Sequence, residues 1–330
     1  MTYLETFKTI SSNINSSKKN EGWRLISDKF SANLYLGIRD SCYGLRLQVS
    51  TNAIPKKLVD FNAKGIQFEL SQNPKEPTQS RITLVATASG YNDIFVAICS
   101  DLAEHIGNLK EDSEIGGKFT DRLFVWQDFL KTFGHEGLGQ NAQQGLFGEL
   151  WVLNDQVKPT IGIADAIEHW HGPERQHHDF QTPRAAIEVK TTRGKQHVKI
   201  SIQSERQLDS TGLDVLYLCH VSVIPTEAKG PTLKELVSKI RSLADKSGAR
   251  TIFDAKLKKA GYLDIHDKNY LKTHYQIKKL DYYKVEGDFP RITTDSLPNG
   301  IGDTSYTIVA SSLSAYVAEQ KIATGSLKED

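Results

Sequence analysis

Cysteine is scarce: Cys42, Cys99 and Cys219 are the only three in 330 residues. Odd in number, far apart and never in a C-x-x-C spacing, they exclude a disulfide framework and a zinc ribbon, and they suit a reducing compartment. No run approaches the roughly 18 apolar residues of a membrane-spanning helix, so no membrane partner is expected. Met1-Thr2-Tyr3-Leu4-Glu5 lacks the basic start and apolar stretch of a secretion signal, and the expected location is the cytoplasm. The glycine-rich Gly134-His135-Glu136-Gly137-Leu138-Gly139 has no Lys-Ser/Thr and follows no predicted strand, which excludes a P-loop ATPase there. Internal repeats and low-complexity tracts are absent too.

What remains is an ordinary globular composition, 38% hydrophobic and 25% charged, long enough for roughly two domains that bury cores without staples. The net charge of +1 hides an uneven distribution. Residues 101–115 hold five acids against one base, Lys110, while residues 229–284 hold fourteen Lys and Arg against six Asp and Glu. The second block suits a polyanion-facing surface or, more simply, solvated helix faces.

The first hundred residues read as strands followed by a helix. Leu34, Leu36 and Ile38 alternate, as do Leu45, Leu47 and Val49, and then Ile82, Leu84 and Ala86. Ile94, Ile98, Leu102 and Ile106 fall four apart, one stripe of a helix over 91–106. The acidic, glycine-containing stretch 108–118 is the expected boundary, dividing a β-rich domain over 1–115 from a second domain over 116–330. Helices are expected at 119–133 and 141–157, strands at 185–191, 198–202 and 215–224, helices at 233–245 and 251–260, and strands at 270–285 and 306–310. This order gives a mixed α/β second domain.

The chemistry concentrates in residues 179–192. On an extended strand Glu188 and Lys190 share one face about 6–7 Å apart, while Ile187 and Val189 share the other. A turn at Pro183-Arg184 would fold the chain back and set Asp179 opposite Glu188. Two carboxylates and an ammonium then converge. Hard carboxylate oxygens suit Mg²⁺, with Mn²⁺ as a substitute, and phosphate oxygens complete such a shell. Lys190 would orient or deprotonate the attacking water and offset charge on the phosphoryl group. Two other stretches share the loose spacing, Asp214 with Glu227-Ala228-Lys229 and Asp245 with Asp254-Ala255-Lys256. The former reads as loop and the latter as helix, where positions two apart diverge by about 200°.

This constellation resembles the PD-(D/E)XK nuclease superfamily, with Asp179 as first acid and Glu188-Val189-Lys190 as the E-x-K element. The run Gly145-Leu146-Phe147-Gly148-Glu149-Leu150-Trp151, then Trp170-His171-Gly172-Pro173 and His178-Asp179-Phe180, resembles one bacterial branch of it, over roughly 119–310. His178 stands where the superfamily name has Pro. The resemblance implies a restriction-endonuclease-like α/β (α+β) core, a mixed central sheet flanked by helices and preceded here by the β-rich domain. It also implies cleavage leaving a 5′-phosphate and a further acid on the first core helix, matched by Glu149. On the helical wheel Glu149 lies about 40° from Leu153, at the edge of the apolar stripe. Gly145 and Gly148, each costing a helix about 1 kcal/mol relative to Ala, suggest close backbone approach.

Ser204 reads as the N-cap of a helix start at Glu205-Arg206-Gln207-Leu208, and the resemblance implies Gln207, and after it Arg206, near the scissile phosphate. Arg184, Lys190, Arg193, Lys195, Lys199 and Arg206 outnumber Glu188 and Glu205, which suits a phosphate backbone. His169, His171, His177 and His178 crowd the loop before Asp179 but have no H-E-x-x-H or cysteine partner for zinc. Trp126, Trp151 and Trp170 read as core aromatics. The expected protein is a Mg²⁺-dependent DNA endonuclease of restriction or phage-defence type, a homodimer or a subunit of a multiprotein complex. Asp179, Glu188 and Glu149 would be its metal ligands, with Lys190 and Gln207 completing the catalytic set. The alternatives are a non-catalytic DNA-binding or scaffolding subunit and a sugar- or nucleotide-processing enzyme.

Overall fold

The computed structural model describes residues 2–17, 20–26, 32–174, 176–194 and 198–328, and divides into two compact units, Met1–Gly137 and Leu138–Asp330. In the first, β1 (Glu21–Leu25), β2 (Asn33–Arg39), β3 (Cys42–Ser50), β4 (Ile66–Gln72) and β5 (Gln79–Ala86) form an antiparallel sheet in the order β1-β2-β3-β5-β4. The alternating apolar residues of β2, β3 and β5 are buried, as are Phe7 and Ile10 of the helix α1 (Tyr3–Ser17). Trp23 lies against the facing pair Gly37 and Gly44, where a Cβ on Gly37 would overlap its ring. α2 (Asn92–Ile106) buries the predicted stripe Ile94, Ile98, Leu102 and Ile106.

The division falls after Gly137, whereas the sequence reading put it at 115/116. From Asp112 onward the acidic stretch is the start of α3 (Asp112–Phe133). Asp112 and Glu114 sit in the first turn, where negative charge is favoured, and Asp112 Oδ2 accepts from Ser50 N–H at 2.7 Å. A Cβ on Gly116 would overlap the Ala53 carbonyl, so this glycine serves close packing within the first unit. Asp101 ties α2 to α3 by accepting from Arg122 at 2.6 Å and from Trp126 Nε1 at 2.9 Å.

In the second unit α4 (Gln140–Val152) passes through a π-helical turn at Leu153–Val157 into the short helices α5 (Lys158–Ile161) and α6 (Ile163–Glu168). Next come β6 (Phe180–Gln181), β7 (Ala185–Arg193), β8 (Lys199–Ile202) and β9 (Val215–Thr226). Helices α7 (Leu233–Ser247) and α8 (Arg250–Lys259) precede β10 (His274–Lys284), β11 (Tyr306–Val309) and β12 (Val317–Ala318). The main sheet runs β12-β10-β9-β7-β6 with β7 and β9 parallel and the other pairs antiparallel, the mixed α/β arrangement expected. β8 and β11 form a separate two-stranded sheet. Residues 216–223 of β9 are all buried, as a central strand covered on both faces requires. Ala186, Leu216, Leu218 and Tyr283 join Ile200, Ile202 and Ile308 in one core cluster.

Candidate active site

The hairpin between β6 and β7 places the first acid. Thr182 N–H donates to the Ala185 carbonyl at 2.9 Å, and Ala185 N–H donates back to Thr182 Oγ1 at 3.1 Å, leaving Pro183-Arg184 at the corner. Phe180 pairs with Ile187 and Gln181 with Ala186, so one further step sets Asp179 opposite Glu188. Asp179 Oδ2 accepts from Val189 N–H at 2.7 Å.

Strand alternation places the next two groups. Ile187 and Val189 are buried on one face, while on the other Lys190 Nζ lies 2.6 Å from Glu188 Oε1. Glu188 is only 1% exposed, a buried carboxylate held by its ammonium partner.

Glu149 comes from α4, which packs against β7 so closely that a Cβ on Gly148 would overlap Thr191 Oγ1. Gly148 thus has the close approach expected of it, whereas a Cβ on Gly145 would meet open space. Glu149 Oε2 accepts from Trp170 Nε1 at 3.0 Å. A Cβ on Gly172 would lie 2.7 Å from both Glu149 Oε2 and Asp179 Oδ1, so those oxygens are separated by at most twice that distance. The segment carrying Gly172 is held from both sides. His171 and Gly172 N–H groups donate to the Asp179 carbonyl at 2.7 and 3.2 Å. Buried Lys256 donates to the carbonyls of Ile167, Glu168 and Trp170 at 2.9, 2.6 and 2.7 Å.

Enclosure by protein and mutual repulsion dominate the electrostatics. Desolvation, then the Asp179 charge, push Glu149 up to about 8; desolvation, then Glu188, push Asp179 up to about 8. Glu188 rises to about 7 through desolvation, opposed by Lys190. Desolvation works against the Lys190 ammonium, but Glu188, Asp179 and Glu149 outweigh it and raise its pKa. Three acids and one cation form a single coupled cluster.

The other predicted residues are placed differently. Gln207 Oε1 accepts from Gln203 N–H at 2.9 Å, turning its amide oxygen onto its own turn, and Arg206 pairs with Glu205 at 3.7 Å. Ser204 is the N-cap expected, accepting from Arg206 N–H at 3.3 Å. Arg184 pairs with Asp214 at 2.6 Å, Arg193 donates to Gln144 at 3.2 Å, Lys199 is exposed, and Lys195 lies outside the described residues. His171 lies 2.9 Å from Glu174, His177 is exposed and His178 is buried beside Gln181 at 3.2 Å. Sequence reasoning missed the indole donor of Trp170, the room left by Gly172 and the clamp of Lys256. Trp170 and Gly172 stood in the quoted motif, but their contacts with Glu149 lie 21 and 23 positions away along the chain.

Among the described residues no group of three His, Cys, Asp or Glu is arranged as a metal-holding cluster. The donor chemistry nonetheless fits a hard divalent cation: carboxylate oxygens of Glu149 and Asp179 face a cradle that a side chain at 172 would fill, Glu188 lies opposite Asp179 across the hairpin, and a cation would relieve their like charge. No curated protein and no solved structure matches the chain. The model of the family described as "Putative PD-(D/E)XK family member, (DUF4420)" matches residues 5–311. With the match spanning both units and the E-x-K strand at its hairpin, the chain belongs to that family, and its fold is consistent with the PD-(D/E)XK class.

Proposed function

We propose that the chain is a divalent-metal-dependent DNA endonuclease of a bacterial restriction or phage-defence system. One observation carries the reading: the Thr182–Ala185 turn and the 2.7 Å bond from Val189 N–H bring Asp179 beside the Glu188–Lys190 pair. Asp179 and Glu188, supported by Glu149, would hold Mg²⁺ or Mn²⁺. Such an ion supplies acidification of water and charge neutralisation at the phosphoryl group. Lys190, kept protonated by three acids, orients the attacking water and stabilises negative charge developing on the phosphoryl oxygens. Val189 N–H and Trp170 Nε1–H fix one oxygen each of Asp179 and Glu149. Cleavage would leave a 5′-phosphate, with Gln207 near the scissile group after its turn adjusts. Cutting both strands needs two sites, so a homodimer or a multiprotein defence complex in the cytoplasm completes the proposal. Among the described residues no helix is long and apolar enough to cross a membrane.

The test is incubation of the purified protein with plasmid DNA and Mg²⁺ beside Glu188→Ala and Lys190→Ala. Nicking or linearisation by the wild type alone is expected, and equal cutting by all three rejects the site. Binding without cleavage, even with partners supplied, would favour a scaffolding subunit.

A further inference from the structure

A second polar site lies along the same strands. Within the buried stretch of β9 stand His220 and Ser222, paired with Lys190 and Thr192 of β7. On the other side β10 pairs Asp281 with His220 and Lys279 with Ser222, and the register slips between Ile277 and Lys279. Lys278 is therefore the extra residue of a β-bulge. Consecutive side chains of a regular strand point to opposite faces, but a bulge re-aims one of them. Here both Lys278 and Lys279 line one cavity of about 340 Å³ together with His220, Ser222 and Asp281. Gly194 admits the first lysine: a Cβ there would lie 2.7 Å from Lys278 Cδ.

His220 supplies an independent sign of a ligand. It is 2% exposed, and its Nε2 lies 2.8 Å from Thr192 Oγ1. Its Nδ1 is buried without a hydrogen-bond partner, the Asp281 carboxylate standing off at 3.8 Å and paired with Lys279 at 2.9 Å. In the tautomer in which the Thr192 hydroxyl donates to Nε2, Nδ1–H is a buried donor with no acceptor within hydrogen-bond distance. Two ammonium groups, a hydroxyl and an imidazole N–H make a donor set for the oxygens of a phosphate.

We infer that the cavity walled by Lys278, Lys279, His220 and Ser222 is a phosphate subsite for the DNA strand. The inference rests on the nuclease reading and extends it. Two residues along β7 from Lys190 span about 6–7 Å, so the phosphate held here lies within about two nucleotides of the scissile one.

The test measures binding of a fluorescent duplex by anisotropy with Ca²⁺ replacing Mg²⁺, comparing the wild type with Lys278→Gln/Lys279→Gln. Both lysines are exposed, so the variant folds. Its binding is expected to weaken, with a log–log salt slope shallower by about one. Duplexes carrying one methylphosphonate at successive positions should reveal a single position that costs the wild type affinity and the variant nothing. A 5′-phosphorylated duplex beside its 5′-hydroxyl form separates sources: a lysine-dependent preference for the former assigns the subsite to a terminal phosphate, and no preference assigns it to the backbone. Unchanged affinity and slope in the variant overturn the subsite while leaving the nuclease reading intact. No binding by the wild type at low salt overturns both.

Discussion

At Gly172 a missing methyl group decides whether two acids can share a space. A Cβ there would stand 2.7 Å from an oxygen of each, so Gly172→Ala must displace Glu149, Asp179 or the segment itself. Displacements near 1 Å cost about 10²-fold in rate, and a loss of that order in plasmid cleavage is expected, with Mn²⁺ affinity by calorimetry falling alongside. Asp179→Asn should separate function from stability. It removes a charge that burial and Glu188 penalise, so the metal-free variant should melt a few °C higher at pH 8 while cutting no DNA. A lower melting temperature would refute the repulsion argument. Glu188 and Lys190 were legible because strand alternation fixes both faces at once. Glu149 was legible as an edge position of an apolar stripe only after the resemblance singled it out. Trp170 was readable as core and is fully buried, but its bond to Glu149 belongs to tertiary structure, which no local period encodes.

Among elements, those with strong apolar periods emerged from sequence, and the two edge strands of the first sheet did not. β2, β3, β5, β7, β8, β9 and α2 fall where the periods put them. β1 and β4 went unread because edge strands bury little, with patterns of mostly exposed residues that carry no alternation. The 3.6-residue period at 141–157 indicated one helix, and Leu146, Leu150, Leu153 and Val157 are all buried, but the final turn is π-helical. α7 begins with a capping box in which Thr232 and Glu235 satisfy each other's backbone N–H groups. Thr232→Ala should cost about 1 kcal/mol in urea unfolding. Lys256→Met should cost more, about 3 kcal/mol, because three buried carbonyls lose their donor at about 1–3 kcal/mol each before relaxation. The same substitution should reduce DNA cleavage by loosening the segment that carries Trp170 and Gly172.

Across the whole molecule the strongest expectation concerns pH. Folding raises Glu149 and Asp179 to about 8 and Glu188 to about 7, whereas the unfolded chain releases these protons near the ordinary carboxylate range. Between about pH 5 and 8 the folded state thus holds more protons than the unfolded state, and stability falls as pH rises. Glu174, pulled down to about 2 chiefly by Lys259 and then His171, acts oppositely, its contribution being lost only as pH drops toward 2. The metal-free protein should be most stable near about pH 5, and Mn²⁺, which favours the ionised carboxylates, should flatten the decline toward pH 8. Scanning calorimetry across that range with and without Mn²⁺ checks this, and a flat metal-free profile would contradict it. The charge blocks show how composition misleads at this scale. Asp101, Glu104, Asp112 and Glu114 lie on helices with Glu111 as the N-cap of α3, and within the basic block Arg241 is paired with Asp254 and Asp264 and Arg250 with Asp245 and Asp254.

The four-residue reversal at Thr182–Ala185 makes the catalytic proposal sensitive to chain length in one place. A single amino acid inserted there would slide β6 against β7 by one step, turning Asp179 away from Glu188 and Phe180 out of its buried seat opposite Ile187. Such a protein would lose the meeting of the two acids together with part of its core, whereas a length-neutral swap at the same corner would leave both in place.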